Sequence, residues 1–269
     1  MKHLIVGVGV VGNATGTFLE ANNEEVWYYD KNQKIIEKSD KSRWVLSLNF
    51  RNVSSFEVFW ICTPENVVEG IIKQLSLRTR KTKIIIVRST TIPGTLEKLQ
   101  KKYHIQFLFH IPEFLREATS IEDIFNPDRI VIGGDDCGWV TPFFKTLHCP
   151  IVKTNLTTSE LIKQISNAWL STQISFWNEI KELCDSFKVN SQEVANAVTL
   201  DKRISKYGSN MLYKPFCGKC LPKDLENLIN CFKQQNLNCY ILHMVRNKND
   251  FLRNKYEKNI NYSKARKRN

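Results

Sequence analysis

Gly7-Val8-Gly9-Val10-Val11-Gly12 closes a β-branched run at residues 2–8, and Asp30 ends a second such run 18 positions after Gly12. Strand, glycine turn, helix, strand and acid in that order mark a dinucleotide-binding βαβ unit. The glycines differ in what they permit: Gly7 the tight turn, Gly9 the approach of the backbone to a pyrophosphate, and Gly12 the close packing of the helix on the strand. The helix entered through Val10 and Val11 then offers unpaired N–H groups and a positive dipole end to phosphates. Asp30 is expected to accept from ribose hydroxyls and to repel a 2′-phosphate, which favours NAD over NADP, although Lys31 next to it weakens that preference. The glycines alone would also fit an ordinary turn; the flanking pattern and the spacing to Asp30 select nucleotide binding.

Outward from this unit, β-branched runs recur at 25–29, 58–62, 83–88, 105–110, 129–132 and 150–153, with helical patterns at 13–21, 64–75 and 95–103 between them. The alternation predicts an α/β fold, a Rossmann-type doubly wound parallel sheet over residues 1–155. After Asn155 the pattern turns helical. Thr158-Ser159-Glu160-Leu161 opens a long amphipathic stretch to about Phe187, with Leu161, Ile165, Ala168, Trp169, Thr172, Phe176 and Ile180 near one face. A second helix is expected at 191–198 with Ser191 as its N-cap, and others begin near Leu221 and Cys239. Residues 156–250 therefore read as an all-helical domain and 251–269 as a mobile basic tail.

The composition, 42% hydrophobic and 25% charged over 269 residues, excludes a disordered chain. Of the net charge of +12, +7 lies in residues 246–269, so no general nucleic-acid-binding surface is expected on the body. The apolar start at Leu4–Gly12 is too short to span a bilayer and lacks a cleavage site, so no membrane segment is expected. Eight cysteines are too sparse for a disulfide-stapled secreted scaffold, which points to reduced thiols and a cytoplasmic location.

Cys62-Thr63-Pro64 and Ser89-Thr90-Thr91-Ile92-Pro93-Gly94-Thr95 stand at strand ends, where open α/β sheets bind ligands. Simple strand-to-helix capping fits them equally. Pro112-Glu113-Phe114-Leu115-Arg116-Glu117 sets two carboxylates four apart, suited to proton transfer or to holding hydroxyls, or else a helix-start pair with Arg116 as surface counterion. Lys163 and Asn167 share a helix face; taken alone, they read as a solvated pair. The sharpest local signal is Cys217-Gly218-Lys219-Cys220-Leu221-Pro222-Lys223-Asp224. Pro222 suits a first helical turn, so Cys220 falls at the helix start, where the dipole and Lys223 favour a thiolate. Asp224 follows one turn later. Such a thiol attacks carbonyls and such a carboxylate positions water. Reversible Cys217–Cys220 oxidation stays open. A zinc site lacks a second ligand pair, since Cys231 and Cys239 are eight apart without a suitably spaced histidine, and no metal is expected.

Together these segments resemble the nucleotide-sugar dehydrogenases of the UDP-glucose/GDP-mannose type. The likeness rests on Gly7–Gly12 with Asp30, Val87-Arg88-Ser89-Thr90 through Pro93-Gly94-Thr95, and Pro112–Glu117 through Pro127-Asp128-Arg129. It continues in Glu160-Leu161-Ile162-Lys163 through Asn167 and Asn178-Glu179, and in Cys220-Leu221-Pro222-Lys223-Asp224, covering about the first 245 residues. The resemblance implies oxidation of a sugar primary alcohol to a carboxylate with two NAD. It casts Cys220 as nucleophile through a thiohemiacetal and a thioester, Lys163 and Asn167 as oxyanion stabilisers, Asp224 and Thr90 as handlers of water, and Glu117 as an aid to proton transfer. Thr63, Pro64, Ser89, Thr90 and Glu113 join Gly7, Gly9, Val10, Val11, Gly12, Asp30 and Lys31 on the cofactor side, and the 158–187 helix would form a homodimer. UDP-glucose is the favoured nucleotide-sugar substrate, with GDP-mannose or another sugar as alternatives.

Two departures stand out. The family's glycine-rich loop before the cysteine reads Lys214-Pro215-Phe216-Cys217-Gly218-Lys219 here, which leaves Gly218 alone and sets Lys219 beside the nucleophile. The sequence also lacks the family's C-terminal nucleotide-binding domain. The competing expectation is therefore a non-catalytic NAD-binding or partner-binding remnant.

Overall fold

Strands of near-continuous apolar sequence, such as Ile-Ile-Ile-Val and Val-Phe-Trp-Ile, demand cover on both faces, and the first half of the chain supplies it with helices. The computed structural model describes residues 1–78, 83–218 and 220–266 and divides into two compact units, 1–163 and 164–269. Among the described residues, the first unit holds β1 (Lys2–Val6), α1 (Val10–Ala21), β2 (Glu25–Tyr29), the short α2 (Gln33–Lys38) and α3 (Phe50–Val53), β3 (Val58–Ile61), α4 (Glu65–Arg78), β4 (Ile84–Val87), α5 (Thr95–Lys102), β5 (Phe107–His110), α6 (Ser120–Phe125), β6 (Ile130–Gly133), β7 (Ile151–Thr154) and the start of α7 (Leu156–Ser186). The sheet runs β2-β1-β3-β4-β5-β6-β7. All pairings are parallel except β5 with β6, which meet antiparallel at His110 and Gly133. Alternate side chains feed two cores. Ile5, Trp60, Ile86 and Phe109 pack with Ala14, Phe18 and Leu19 of α1, while Leu4, Ile61, Val87 and Leu108 pack with Val68 and Ile72 of α4 and Leu96 of α5.

One buried carboxylate fixes the loop after β4. Glu160, fully buried on α7, accepts from Thr91 Oγ1 at 2.7 Å, Gly94 N at 2.7 Å and Leu96 N at 3.1 Å. Gly94, the N-cap of α5, has a φ of +84° and no capping side chain, so Glu160 supplies that cap from 66 residues away. Burial pushes the Glu160 carboxyl up to about 7 against the pull of its three donors.

The second unit is helical, as expected: the rest of α7, then α8 (Ser191–Val198), α9 (Cys220–Gln234) and α10 (Tyr240–Arg266). Asn190, not Ser191, caps α8, its side chain accepting from Gln192 N and Glu193 N. The basic segment continues α10 to Arg266, and residues 267–269 lie outside the described residues. The buried side chains of α7 are of both kinds: Gln164, Asn167, Ser171, Asn178 and Lys181 beside Ala168, Ile174, Trp177 and Cys184. A further apolar stripe is exposed, at Ile165, Trp169 (60% exposed), Phe176 and Leu183. Ala168, expected on that face, turns inward. Among the described residues no helix is long and apolar enough to cross a membrane.

Glu160→Gln places an amide N–H against a donor. It is expected to destabilise the protein by about 1–3 kcal/mol, lowering Tm by roughly 2–12 °C in thermal unfolding.

Candidate functional site

The turn after β1 has the shape its glycines predict. Gly7 sits at φ +92°, and a Cβ there would lie 2.9 Å from the Cys62 carbonyl oxygen; a Cβ on Gly12 would lie 1.9 Å from the Gly7 oxygen. Gly9 opens α1 without a side-chain cap, and a Cβ on it would meet nothing within 4 Å. That leaves the helix's first-turn N–H groups and the space before them to a phosphate. Asp30 is partly buried at the end of β2; its Oδ2 accepts from Val8 N at 2.8 Å and its Oδ1 from Asn32 N at 2.8 Å, which fixes the carboxylate beside the turn. Val10 and Lys31 are exposed and Val11 partly buried. These residues fit a dinucleotide.

Along the same sheet edge, Thr63 is partly buried and Pro64 exposed after β3. Ser89 is buried and ties β4 to β3, donating to Thr63 O at 2.7 Å, while Thr90 is partly buried. After β5, Lys163 Nζ of α7 donates to Glu113 O at 2.6 Å and lies 3.0 Å from Glu113 Oε1. Lys163 is thus buried, with 4% exposure; the solvated reading of this lysine is overturned because the main chain after β5 and the Glu113 carboxylate receive its charge. Glu117 is exposed, so the two carboxylates of the 112–117 segment have different surroundings, and Arg116 pairs with Asp123 at the surface. His110, which carries no motif of its own in the sequence, is fully buried: Nδ1 meets Ser159 Oγ at 2.9 Å and Nε2 the Ser89 carbonyl at 3.3 Å. Burial pushes it down to about 3, so it is neutral at physiological pH. Arg88 lies within the Val87–Thr90 motif without an expected role, yet it is only 4% exposed. Its one sequence signal is a charge directly after an apolar strand.

In the second unit, Cys220 is exposed as the first residue of α9. Asp224, one turn on and 1% exposed, accepts from Asn167 Nδ2 at 2.6 Å and lies 2.8 Å from Lys223 Nζ. Asn167, read from sequence as half of a solvated pair, is buried by that bond, and Lys223 directs its charge to Asp224. Cys217 is also exposed, Gly218 has a φ of +80°, and Lys219 lies outside the described residues. No cluster able to hold a metal occurs among the described residues.

The sequence matches the UDP-glucose/GDP-mannose dehydrogenase family, NAD binding domain, over residues 50–148 and the central domain of that family over 157–251. It is 30% identical to UDP-glucose 6-dehydrogenase of Rickettsia typhi across 91% of this chain and 66% of that protein. It is 33% identical to the putative UDP-glucose 6-dehydrogenase YtcA of Bacillus subtilis across 72% of this chain and 48% of that one. The chain thus spans two thirds or less of the curated relatives it matches. Among solved structures, a UDP-glucose dehydrogenase from Pyrobaculum islandicum superposes with a TM-score of 0.86 at 26% identity, covering 93% of this chain and 68% of that one. A Mycobacterium tuberculosis 3-hydroxyisobutyrate dehydrogenase shares the fold, with a TM-score of 0.77 at 12% identity and 93% coverage of both chains.

The thiols differ enough to be told apart chemically. Burial pushes Cys62 up to about 12, Cys184 is buried, and Asp135 raises Cys137. In reduced protein, iodoacetamide followed by peptide mapping should label Cys220 at least tenfold faster than Cys62 or Cys184. Comparable rates would remove the nucleophile assignment.

Proposed function

Because the chain belongs to the UDP-glucose/GDP-mannose dehydrogenase family, we propose that it oxidises the primary alcohol of a nucleotide sugar, UDP-glucose before GDP-mannose, to the uronate. The observation that carries this reading is the second unit's arrangement: an exposed Cys220 opens α9, and Asp224 one turn later is buried against Asn167. A reactive thiol needs access, and a carboxylate that positions water needs a fixed orientation.

NAD, when bound, supplies the hydride acceptor for two oxidations, alcohol to aldehyde and thiohemiacetal to thioester. Cys220 Sγ adds to the aldehyde carbon, and the ammonium of Lys163 and the amide of Asn167 stabilise the resulting oxygen anion. Glu117 takes part in proton transfer. Asp224 and Thr90 orient the water that cleaves the thioester, which releases the acid and returns the Cys220 thiol. Glu113 holds Lys163 in place through its carbonyl and carboxylate oxygens. Gly7, Gly9, Val10, Val11 and Gly12 receive the pyrophosphate, Asp30 the ribose hydroxyls beside Lys31, and Thr63, Pro64, Ser89 and Thr90 the remainder of the cofactor. Eight cysteines are too sparse for a disulfide-stapled scaffold, which supports a reducing, cytoplasmic setting.

The test is to mix the protein with NAD and a panel of nucleotide sugars and follow NADH. UDP-glucose should give two NADH per uronate, and Asp224→Asn should lower kcat by roughly 10²–10⁴-fold. NAD binding with no turnover on any sugar would leave only the cofactor-binding reading.

The assembly we infer is a homodimer through the 158–187 helix. Ile165, Trp169, Phe176 and Leu183 form one exposed apolar stripe along α7, and such stripes are what self-association covers. Sedimentation should find a dimer, and Trp169→Glu should shift it toward monomer by at least tenfold in dissociation constant, about 1.4 kcal/mol.

A further inference from the structure

Arg88 follows β4 directly, and strand alternation puts its side chain on the face of Ile84 and Ile86, where α1 packs. Only 4% of it is exposed. Its Nε is enclosed with no acceptor. Two groups bear on its charge, the Cys62 thiol and the Glu113 carboxylate. Neither neutralises it: Cys62 is held protonated by burial, and Glu113 is engaged at Oε1 by Lys163 and at Oε2 by Leu115 N at 2.9 Å. A buried guanidinium without a partner is costly, and a fold retains one where a ligand completes it.

The sheet order indicates which ligand. Asp30 ends β2 and the glycine turn ends β1, so an adenosine ribose at Asp30 and a pyrophosphate over α1 leave the other half of the dinucleotide running away from β2. That direction crosses the end of β3 and then β4. Arg88 lies two strands from the pyrophosphate position, about 10 Å at ~4.8 Å per strand, on the α1 face of the sheet. A dinucleotide seated this way would carry its nicotinamide ring, one ribose beyond the pyrophosphate, toward this strand end.

We propose that Arg88 is a cofactor-binding residue whose guanidinium donates to the carboxamide oxygen of the nicotinamide, fixing the ring's orientation at the end of β4. The proposal rests on the dinucleotide reading of the first unit and not on the identity of the sugar. It also has an electrostatic corollary. The oxidised ring is cationic and the reduced ring neutral, so Arg88 favours NADH over NAD.

Calorimetry with NADH, NAD and ADP-ribose, which lacks the nicotinamide, tests this on the full chain. In Arg88→Met, NADH affinity should fall about 10- to 100-fold, the effect of losing a hydrogen bond to a charged group. NAD should fall less, and ADP-ribose should stay within twofold. Thermal unfolding of the unliganded variant should show an unchanged or higher Tm, because an unpaired buried charge has been removed. Arg88→Lys keeps the charge without the planar fork and should give a smaller NADH loss, again sparing ADP-ribose. Equal losses for NADH and ADP-ribose, an unaltered NADH affinity, or a Tm lowered by Arg88→Met would each overturn the proposal. Failure of the unsubstituted protein to bind either NADH or ADP-ribose would instead overturn the dinucleotide reading, and this proposal with it.

Discussion

Glu160 takes three hydrogen bonds inside the protein, from the Thr91 hydroxyl and from the backbone of Gly94 and Leu96. Through them α7 grips the loop that follows β4 and caps α5, whose own first residues offer no capping side chain. Once α7 is anchored there, Lys163, three residues on, reaches the chain after β5 and meets Glu113. Ser159 on the same turn holds His110 at the end of β5. The ends of β4 and β5 therefore owe their placement to one turn of α7. A long helix can serve this way because residues three and four apart project to one side.

The same sheet edge concentrates positive charge. Arg88 and Lys163 are both buried there, His110 is neutral, and Glu113 offers the one carboxylate that bears on both cations among the described residues. Structural ion pairs in a core are normally balanced, because an uncompensated charge is poorly solvated by protein. An excess of one positive charge at the carboxyl ends of parallel strands is the signature of a place kept for something else. At the opposite edge of the unit Glu24 pairs with the N-terminal ammonium of Met1, and Asp136 with Lys153.

In the second unit α7 buries polar and apolar side chains together. Gln164, Asn167, Ser171 and Asn178 are buried; Asn167 meets Asp224 and Asn178 donates to the Met211 and Lys214 carbonyls. Ile174 and Trp177 are buried with them, while Ile165, Trp169, Phe176 and Leu183 stay exposed. A buried polar stripe of this kind keeps order only when its members are satisfied.

Periodicity and punctuation were legible in the sequence. The seven described strands, helices α1, α4 and α5, and the helical second half follow from local patterns, since alternation and helical spacing are properties of adjacent residues, whereas α2 and α6 were not read. Gly7, Gly12 and Asp30 could be assigned because their demands are local: a positive φ, a close helix, a carboxylate at a strand end. The antiparallel meeting of β5 and β6 was not legible, and neither was the cap on α8 at Asn190. Lys163 and Asn167 read as solvated by composition alone, because a lysine on a helix gives no sign of the carboxylate 50 residues away that receives it. Arg88 and His110 looked like the ends of ordinary strands. Which cation is paired and which is left over depends on partners distant in sequence, so only the tertiary structure could decide it.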